Sequence, residues 1–165
     1  MNKLTLVKPF TNYSFEIDNE NDLLKTFPVK EQRRVVLPSK LVFPLRTQYY
    51  FTWVSPDGLY AYLVFKKPEW AGPKGVVFRG RNTGVSPTAA MCDWCHSFGG
   101  SNEIGMMLTS VNPNRSVGMN LCLDLSCIEK TETIALIAGK NFEKLADKVC
   151  QAIVGFYEHI LKTPS

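Results

Sequence analysis

The sequence predicts an α+β domain in which a small antiparallel β-sheet packs against flanking helices. Runs of aromatic and β-branched residues separated by turn residues predict the sheet. Apolar residues that recur every three or four positions after residue 141 predict a long C-terminal amphipathic helix. Two cysteine pairs, Cys92 with Cys95 and Cys122 with Cys127, supply the four thiolates of a closed tetrahedral zinc shell. We therefore expect a treble-clef-like four-cysteine site at one end of the sheet.

The N-terminal part of the chain is expected to add short elements to this domain. Residues 1–18 are mixed in character and are expected to be irregular, with aromatic anchors. Helical spacing and the following prolines predict short helices over residues 19–27 and 29–34. We divide the chain into residues 1–38, packed on the domain, and residues 39–165, which hold the sheet, the zinc site and the C-terminal helix. The two parts are expected to form one structural unit.

Five strands are predicted in the middle of the chain, over residues 49–54, 59–65, 74–80, 105–111 and 116–122. The turn signals Ser55-Pro56-Asp57-Gly58 and Asn112-Pro113-Asn114-Arg115 predict that four of these strands form two hairpins. The last strand ends at the second cysteine pair. A shorter helix is expected over residues 123–133, and the long C-terminal helix over residues 141–161, with Asn141 as its N-cap and Gly139 as the break before it.

Other interpretations of the cysteines agree less well with the sequence. Cysteines often fill cores, and Cys150 is expected to do so because it lies in the apolar stripe of the C-terminal helix. Disulfides need an oxidising compartment, whereas the N-terminus has no apolar signal core, so we expect a cytoplasmic protein with reduced thiols. Cys92-Asp93-Trp94-Cys95-His96 also matches a haem attachment pattern, which the second cysteine pair disfavours. His96 is expected to neighbour the metal and to hydrogen-bond a thiolate.

Enzymatic chemistry finds little support. Four cysteines close the zinc shell, whereas catalytic zinc keeps one position open. The two histidines, His96 and His159, lie in no hydrolase motif, and no glycine run fits a phosphate loop. Asp93 and Asp124 lie inside the ligand loops, where they are expected to accept hydrogen bonds from local backbone amides. No apolar run is long enough to span a bilayer. We expect neither a catalytic site, nor a small-molecule substrate, nor a membrane partner.

A binding module remains, and the charge distribution offers it two kinds of partner. The net charge is +4, but residues 30–81 carry ten Lys or Arg against three acidic residues. Aromatic residues interleave with these cations, which suits single-stranded RNA, although strand alternation also buries about half of such rings. The cations suit an acidic protein equally well. A zinc-stabilised RNA-binding module therefore stays an alternative to a protein-binding module.

Two stretches around the cysteines resemble a known family. They are Met91-Cys92-Asp93-Trp94-Cys95-His96-Ser97, followed by Gly99-Gly100, and Asn112-Pro113-Asn114-Arg115-Ser116-Val117-Gly118-Met119-Asn120-Leu121-Cys122-Leu123-Asp124-Leu125-Ser126-Cys127. Together they resemble the C-terminal treble-clef zinc-finger domain of the elongation-factor-G-binding proteins, the family of fusidic acid resistance proteins. Weaker similarity extends over residues 20–161. This chain has only about 35 residues before its sheet, whereas the resistance proteins carry a longer N-terminal helical bundle.

The resemblance implies that Cys92, Cys95, Cys122 and Cys127 bind a structural Zn²⁺. It also implies that the zinc domain binds translation elongation factor G and promotes release of the factor from the ribosome. By their sequence positions, the loop of residues 112–116 and the segment of residues 98–103 are expected to lie beside the metal. We therefore take four of their residues as candidate partner contacts, namely Arg115, Asn114, Asn112 and Phe98.

Overall fold

The computed structural model describes residues 11–80 and 89–161 and shows an α+β fold with antiparallel sheets. The strands in these ranges are β1 (Phe15–Ile17), β2 (Leu45–Thr47), β3 (Tyr50–Val54), β4 (Tyr60–Phe65), β5 (Lys74–Gly80), β6 (Ala90–Met91), β7 (Phe98–Gly99), β8 (Ile104–Asn112) and β9 (Arg115–Cys122). The helices are α1 (Glu20–Lys25), α2 (Val29–Gln32), α3 (Cys127–Ala138) and α4 (Phe142–Phe156), and a π-helical turn over Tyr157–Leu161 continues α4.

The central sheet has five antiparallel strands in the order β3-β4-β5-β8-β9. Both predicted hairpins are confirmed, since β3 pairs with β4 and β8 pairs with β9. The first turn is closed by the Ser55 hydroxyl, which donates to the Asp57 carboxylate, and by Gly58, whose φ of 76° favours glycine. The second hairpin runs from its tip at residues 112–115 to the pair Ile104 and Cys122. This hairpin therefore delivers Cys122 to the end of the sheet.

Both faces of the sheet carry a core. Because successive strand residues alternate between faces, Leu63 and Phe65 of β4 share one face with Phe78 of β5, whereas Tyr62 and Val64 lie on the other. The first face packs against α4 and against the buried cysteines near the end of the β8–β9 hairpin. The second face packs against β1, α1 and the segment that follows α2. The cysteine site is thus part of the main core.

The N-terminal elements differ in part from the expectation. Asn19 caps α1 by accepting a hydrogen bond from the Asp22 amide, and α1 and α2 confirm the two predicted helices. The expectation that residues 1–18 are irregular is wrong at residues 15–17. These residues form β1, which pairs with β2 in a separate two-stranded sheet. Residues 1–10 lie outside the described ranges. The division into residues 1–38 and 39–165 stays a prediction.

The two later helices follow the predicted pattern with shifted boundaries. Asn141 caps α4 by accepting from the Lys144 amide, and Gly139 ends α3 with a φ of 64°, as expected. The expected start of α3 at residue 123 is wrong, since the helix begins at Cys127 and continues to Ala138. The delay arises because Leu125 has a φ of 57°, which no α-helix accommodates. Within the described part of the chain, no helix is long and apolar enough to cross a membrane.

Candidate metal centre

The first cysteine pair lies on a tight knuckle between β6 and β7. The Cys92 amide donates to the Ser97 carbonyl at 2.9 Å, and the His96 amide donates to the Cys92 carbonyl at 2.9 Å. His96 completes the turn with a φ of 62°. The short strands β6 and β7 pair on either side of the knuckle. This closed turn directs Cys92 and Cys95 towards the same point.

Trp94 anchors the knuckle in the core. It lies between the two cysteines, is only 5% exposed and packs edge-on against Phe78, with ring centroids 5.7 Å apart. Phe156 of α4 lies 6.0 Å from the same ring. The apolar contact therefore fixes the knuckle against both the sheet and the C-terminal helix. Asp93, on the other side of the turn, is exposed.

The second pair joins a strand end to a helix start. Cys122 is the last residue of β9, and Cys127 is the first residue of α3. Between them the Leu125 amide donates to the Cys122 carbonyl, and the Asp124 carboxylate accepts from the Ser126 amide and hydroxyl at 3.1 and 2.6 Å. This confirms the expected role of Asp124 as an acceptor for local groups. The loop thereby turns both sulfurs towards the knuckle.

The four sulfur atoms form one compact cluster. All four lie within 4.8 Å of one another, with Cys92 and Cys127 3.7 Å apart and Cys95 and Cys122 3.6 Å apart. Tetrahedral Zn–S bonds of about 2.3 Å place sulfurs about 3.8 Å apart, which fits these separations. Cys92, Cys122 and Cys127 are fully buried and Cys95 is half-buried. The donor set is that of a structural zinc site.

The crowded sulfurs cannot all ionise without a cation. Hydrogen bonding with Cys122 lowers the pKa of Cys95 well below its usual range and raises the pKa of Cys127 well above it. The contact with Cys122 also lowers the pKa of Cys92 to about 6. Four thiolates at these distances would repel one another strongly. A divalent metal ion between them supplies the compensating charge.

A family comparison agrees with this donor set. The model of the family described as FBP C-terminal treble-clef zinc-finger matches residues 24–158 of the 165. The chain belongs to this family. Comparisons with curated proteins and with solved structures gave no match. The family match and the four clustered cysteines together support a structural Zn²⁺ in this FBP C-terminal zinc finger.

The remaining titratable candidates lie apart from the four sulfurs. Cys150 is buried in α4, and burial, followed by the charge of Asp147, raises its pKa to about 12. It therefore fills the core as predicted. His96 is exposed, and no hydrogen bond joins its ring to a cysteine sulfur in the described residues, so its expected contact with a thiolate is wrong. His159 lies on the π-helical turn.

The candidate partner contacts fall in two separate places. Phe98 lies on β7 next to the knuckle and is 73% exposed. Arg115, Asn114 and Asn112 lie at the tip of the β8–β9 hairpin, where the Asn112 side chain accepts from the Asn114 amide. At about 3.3 Å per strand residue, the seven steps from Arg115 to Cys122 span about 23 Å. The expectation that residues 112–116 lie beside the metal is therefore wrong.

Two residues at the centre were not predicted. The Lys130 ammonium lies 3.3 Å from the Cys122 sulfur. Burial by itself lowers the pKa of Lys130, but the hydrogen bond to Cys122 and the nearby negative charges together outweigh burial, so the pKa of Lys130 is raised. Lys130 follows Cys127 by three residues, so the two residues lie on one helix face. This spacing could have indicated Lys130 as a neighbour of the cysteine site.

Tyr50 of β3 donates to the Leu125 carbonyl at 2.5 Å and accepts from the Ile128 amide at 3.3 Å. No sequence signal links Tyr50 to a loop 75 residues away.

Proposed function

We propose that this zinc finger is a non-enzymatic, cytoplasmic protein that binds translation elongation factor G and promotes release of the factor from the ribosome. Membership of the FBP C-terminal zinc-finger family supports the zinc-binding part of this proposal. The resemblance of residues 91–127 to the elongation-factor-G-binding proteins supports the choice of partner. We assign Cys92, Cys95, Cys122 and Cys127 as the zinc ligands, in agreement with their clustered sulfurs.

The observation that carries the proposal is an exposed aromatic side chain held beside a rigid centre. Phe98 is 73% exposed, and its register partner Met91 is 40% exposed on the neighbouring strand. Exposed aromatic and methionine side chains on a preorganised support are typical of protein interfaces. The knuckle between them is fixed by the four cysteines and by Trp94, so the metal would preorganise this surface. Arg115, Asn114 and Asn112 would extend the contact surface towards the hairpin tip.

The aromatic residues of the basic segment give less support to RNA binding. Tyr62 is fully buried, and Trp53 packs against it with ring centroids 4.9 Å apart. Phe65 and Trp70 pack against Tyr157. Rings that stack on bases must be accessible, whereas these rings stabilise the two cores. Packing in the cores thus accounts for these rings, and RNA becomes an outcome of the test below.

Calorimetric titration of the zinc-loaded protein into elongation factor G tests the proposal. We expect saturable one-to-one binding that persists at high salt and is lost in the Cys122→Ser variant, because that variant loses the metal that shapes the surface. A parallel titration with single-stranded RNA separates the two classes of partner, since binding to phosphates falls steeply with salt. Absence of heat with the factor, together with salt-sensitive binding to RNA, would replace the proposal with the RNA-binding alternative.

A further inference from the structure

We propose that Lys130 is a positioning residue of the zinc centre, whose ammonium group holds the Cys122 thiolate by a hydrogen bond and offsets part of the negative charge of the centre. This contact would slow the release of zinc and protect Cys122 from electrophiles. The inference goes beyond partner binding and rests only on the assignment of Cys122 as a zinc ligand.

The negative charge of the zinc centre calls for a nearby cation. A Zn²⁺ ion with four thiolates carries a net charge of −2, and a buried charge of this size requires compensation. Within residues 11–80 and 89–161, Lys130 is the only cationic side chain that hydrogen-bonds one of the four sulfurs. The separation of 3.3 Å between Nζ and Sγ is short for a hydrogen bond to sulfur, as expected for an ionised pair.

The local fold holds Lys130 beside Cys122. Cys122 ends β9 and Cys127 begins α3. Lys130 lies in the first turn of α3, and its side chain extends back over the intervening loop to Cys122. Its backbone is fixed by the first turn of α3, where its amide donates to the Ser126 carbonyl at 3.1 Å. Cys122 is fully buried, so water has little access to replace the ammonium group. Groups that orient and stabilise a metal ligand in this way commonly govern metal affinity.

The rate of zinc transfer to an excess of chromogenic chelator tests the proposal. We expect Lys130→Met to accelerate zinc release about tenfold, the lower end of the range for such supporting residues. Lys130→Arg keeps a cationic donor and should stay closer to the wild type. Lys148→Met removes an exposed lysine from α4 and serves as the matched control. Equal release rates for Lys130→Met and the wild type would overturn the proposal.

Alkylation by iodoacetamide separates a specific effect on Cys122 from general destabilisation. In this reaction a cysteine sulfur forms a bond to the methylene carbon and iodide leaves, and peptide mass spectrometry counts the product at each cysteine. We expect Lys130→Met to raise the rate at Cys122 more than at Cys95, whereas loosening of the whole centre would raise all four rates together and contradict the proposal. Zinc retained by Cys122→Ser would instead refute the ligand assignment itself.

Discussion

Asp93 and Asn120 are joined by two hydrogen bonds, one in each direction. The Asp93 amide donates to the Asn120 carbonyl at 2.8 Å, and the Asn120 amide donates to the Asp93 carboxylate at 3.0 Å. Asn120 lies on β9, the edge strand of the central sheet, two residues before Cys122. The bonds therefore attach the knuckle of the first cysteine pair to the strand that carries the second pair. They would hold the two halves of the site in register.

Replacement of Asp93 by alanine should lower the free energy of unfolding by about 1 kcal/mol, because the Asn120 amide loses its acceptor. The residue is exposed, so water replaces part of the lost bond and limits the cost. Urea unfolding of the zinc-loaded protein measures the change. Asp93→Asn keeps an acceptor oxygen and should be less affected; if both variants unfold like the wild type, the link between knuckle and strand does not contribute to stability.

Replacement of Cys122 by serine should abolish tight zinc binding and unfold the C-terminal half of the domain. A closed structural zinc site contributes folding free energy on the order of 10 kcal/mol, which is comparable with the whole stability of a typical domain. Metal analysis and thermal melting measure the two effects. Cys150→Ala serves as the control because Cys150 lies in the core and outside the cluster. It should melt earlier but retain its zinc, and loss of zinc there would contradict the ligand set.

Tyr50→Phe should lower the free energy of unfolding by about 1–3 kcal/mol, because the Leu125 carbonyl and the Ile128 amide lose a buried hydroxyl partner. Both groups lie in the segment that turns from Cys122 into α3. Urea unfolding with zinc present measures the loss. Tyr60→Phe, which removes the hydroxyl of a half-buried tyrosine on the neighbouring strand, is the matched control. Equal stabilities of the two variants would show that the Tyr50 contacts are dispensable.

Local signals account for the elements that the sequence could predict. The turns at residues 55–58 and 112–115 and the spacing of the cysteines are short-range patterns, and both hairpins and the cysteine cluster follow from them. Long-range pairing is not encoded in such patterns, so the association of β1 with β2 was missed. The place of residues 112–116 was wrong for a related reason. Proximity to Cys122 in sequence does not give proximity in space when the intervening residues form an extended strand.

Alkaline pH should destabilise the protein in part through Tyr13. Burial first, and then the charge of Asp147, raises the pKa of Tyr13 to about 12 from an ordinary value of 10. The folded state therefore holds this proton more tightly than the unfolded state, and the resulting stability is complete below pH 10 and lost as the pH rises from 10 to 12. Urea midpoints at several pH values across this window measure the loss. Tyr13→Phe should show a shallower decline, and identical slopes would exclude Tyr13 as a source.

Single substitutions at the two candidate contact positions test the surface proposed to bind elongation factor G. Phe98→Ala should weaken binding at least tenfold without lowering stability, because an exposed aromatic contact contributes more than about 1.4 kcal/mol when an interface buries it. Arg115→Ala should weaken binding less, since exposed charges at the rim of an interface contribute little affinity. Leu136→Ala, on the 81% exposed Leu136 of α3, controls for the loss of any exposed apolar side chain.

The separation of the two positions makes the outcomes distinct. Arg115 and Cys122 are about 23 Å apart along β9, so one partner must cover the whole hairpin to contact both ends. Weakening by both variants would indicate such an extended interface, whereas weakening by Phe98→Ala alone would confine it to the knuckle and remove Arg115 from the contact set. Unchanged affinity in both variants, with zinc content and melting as in the wild type, would show that the factor does not bind through either end of this hairpin.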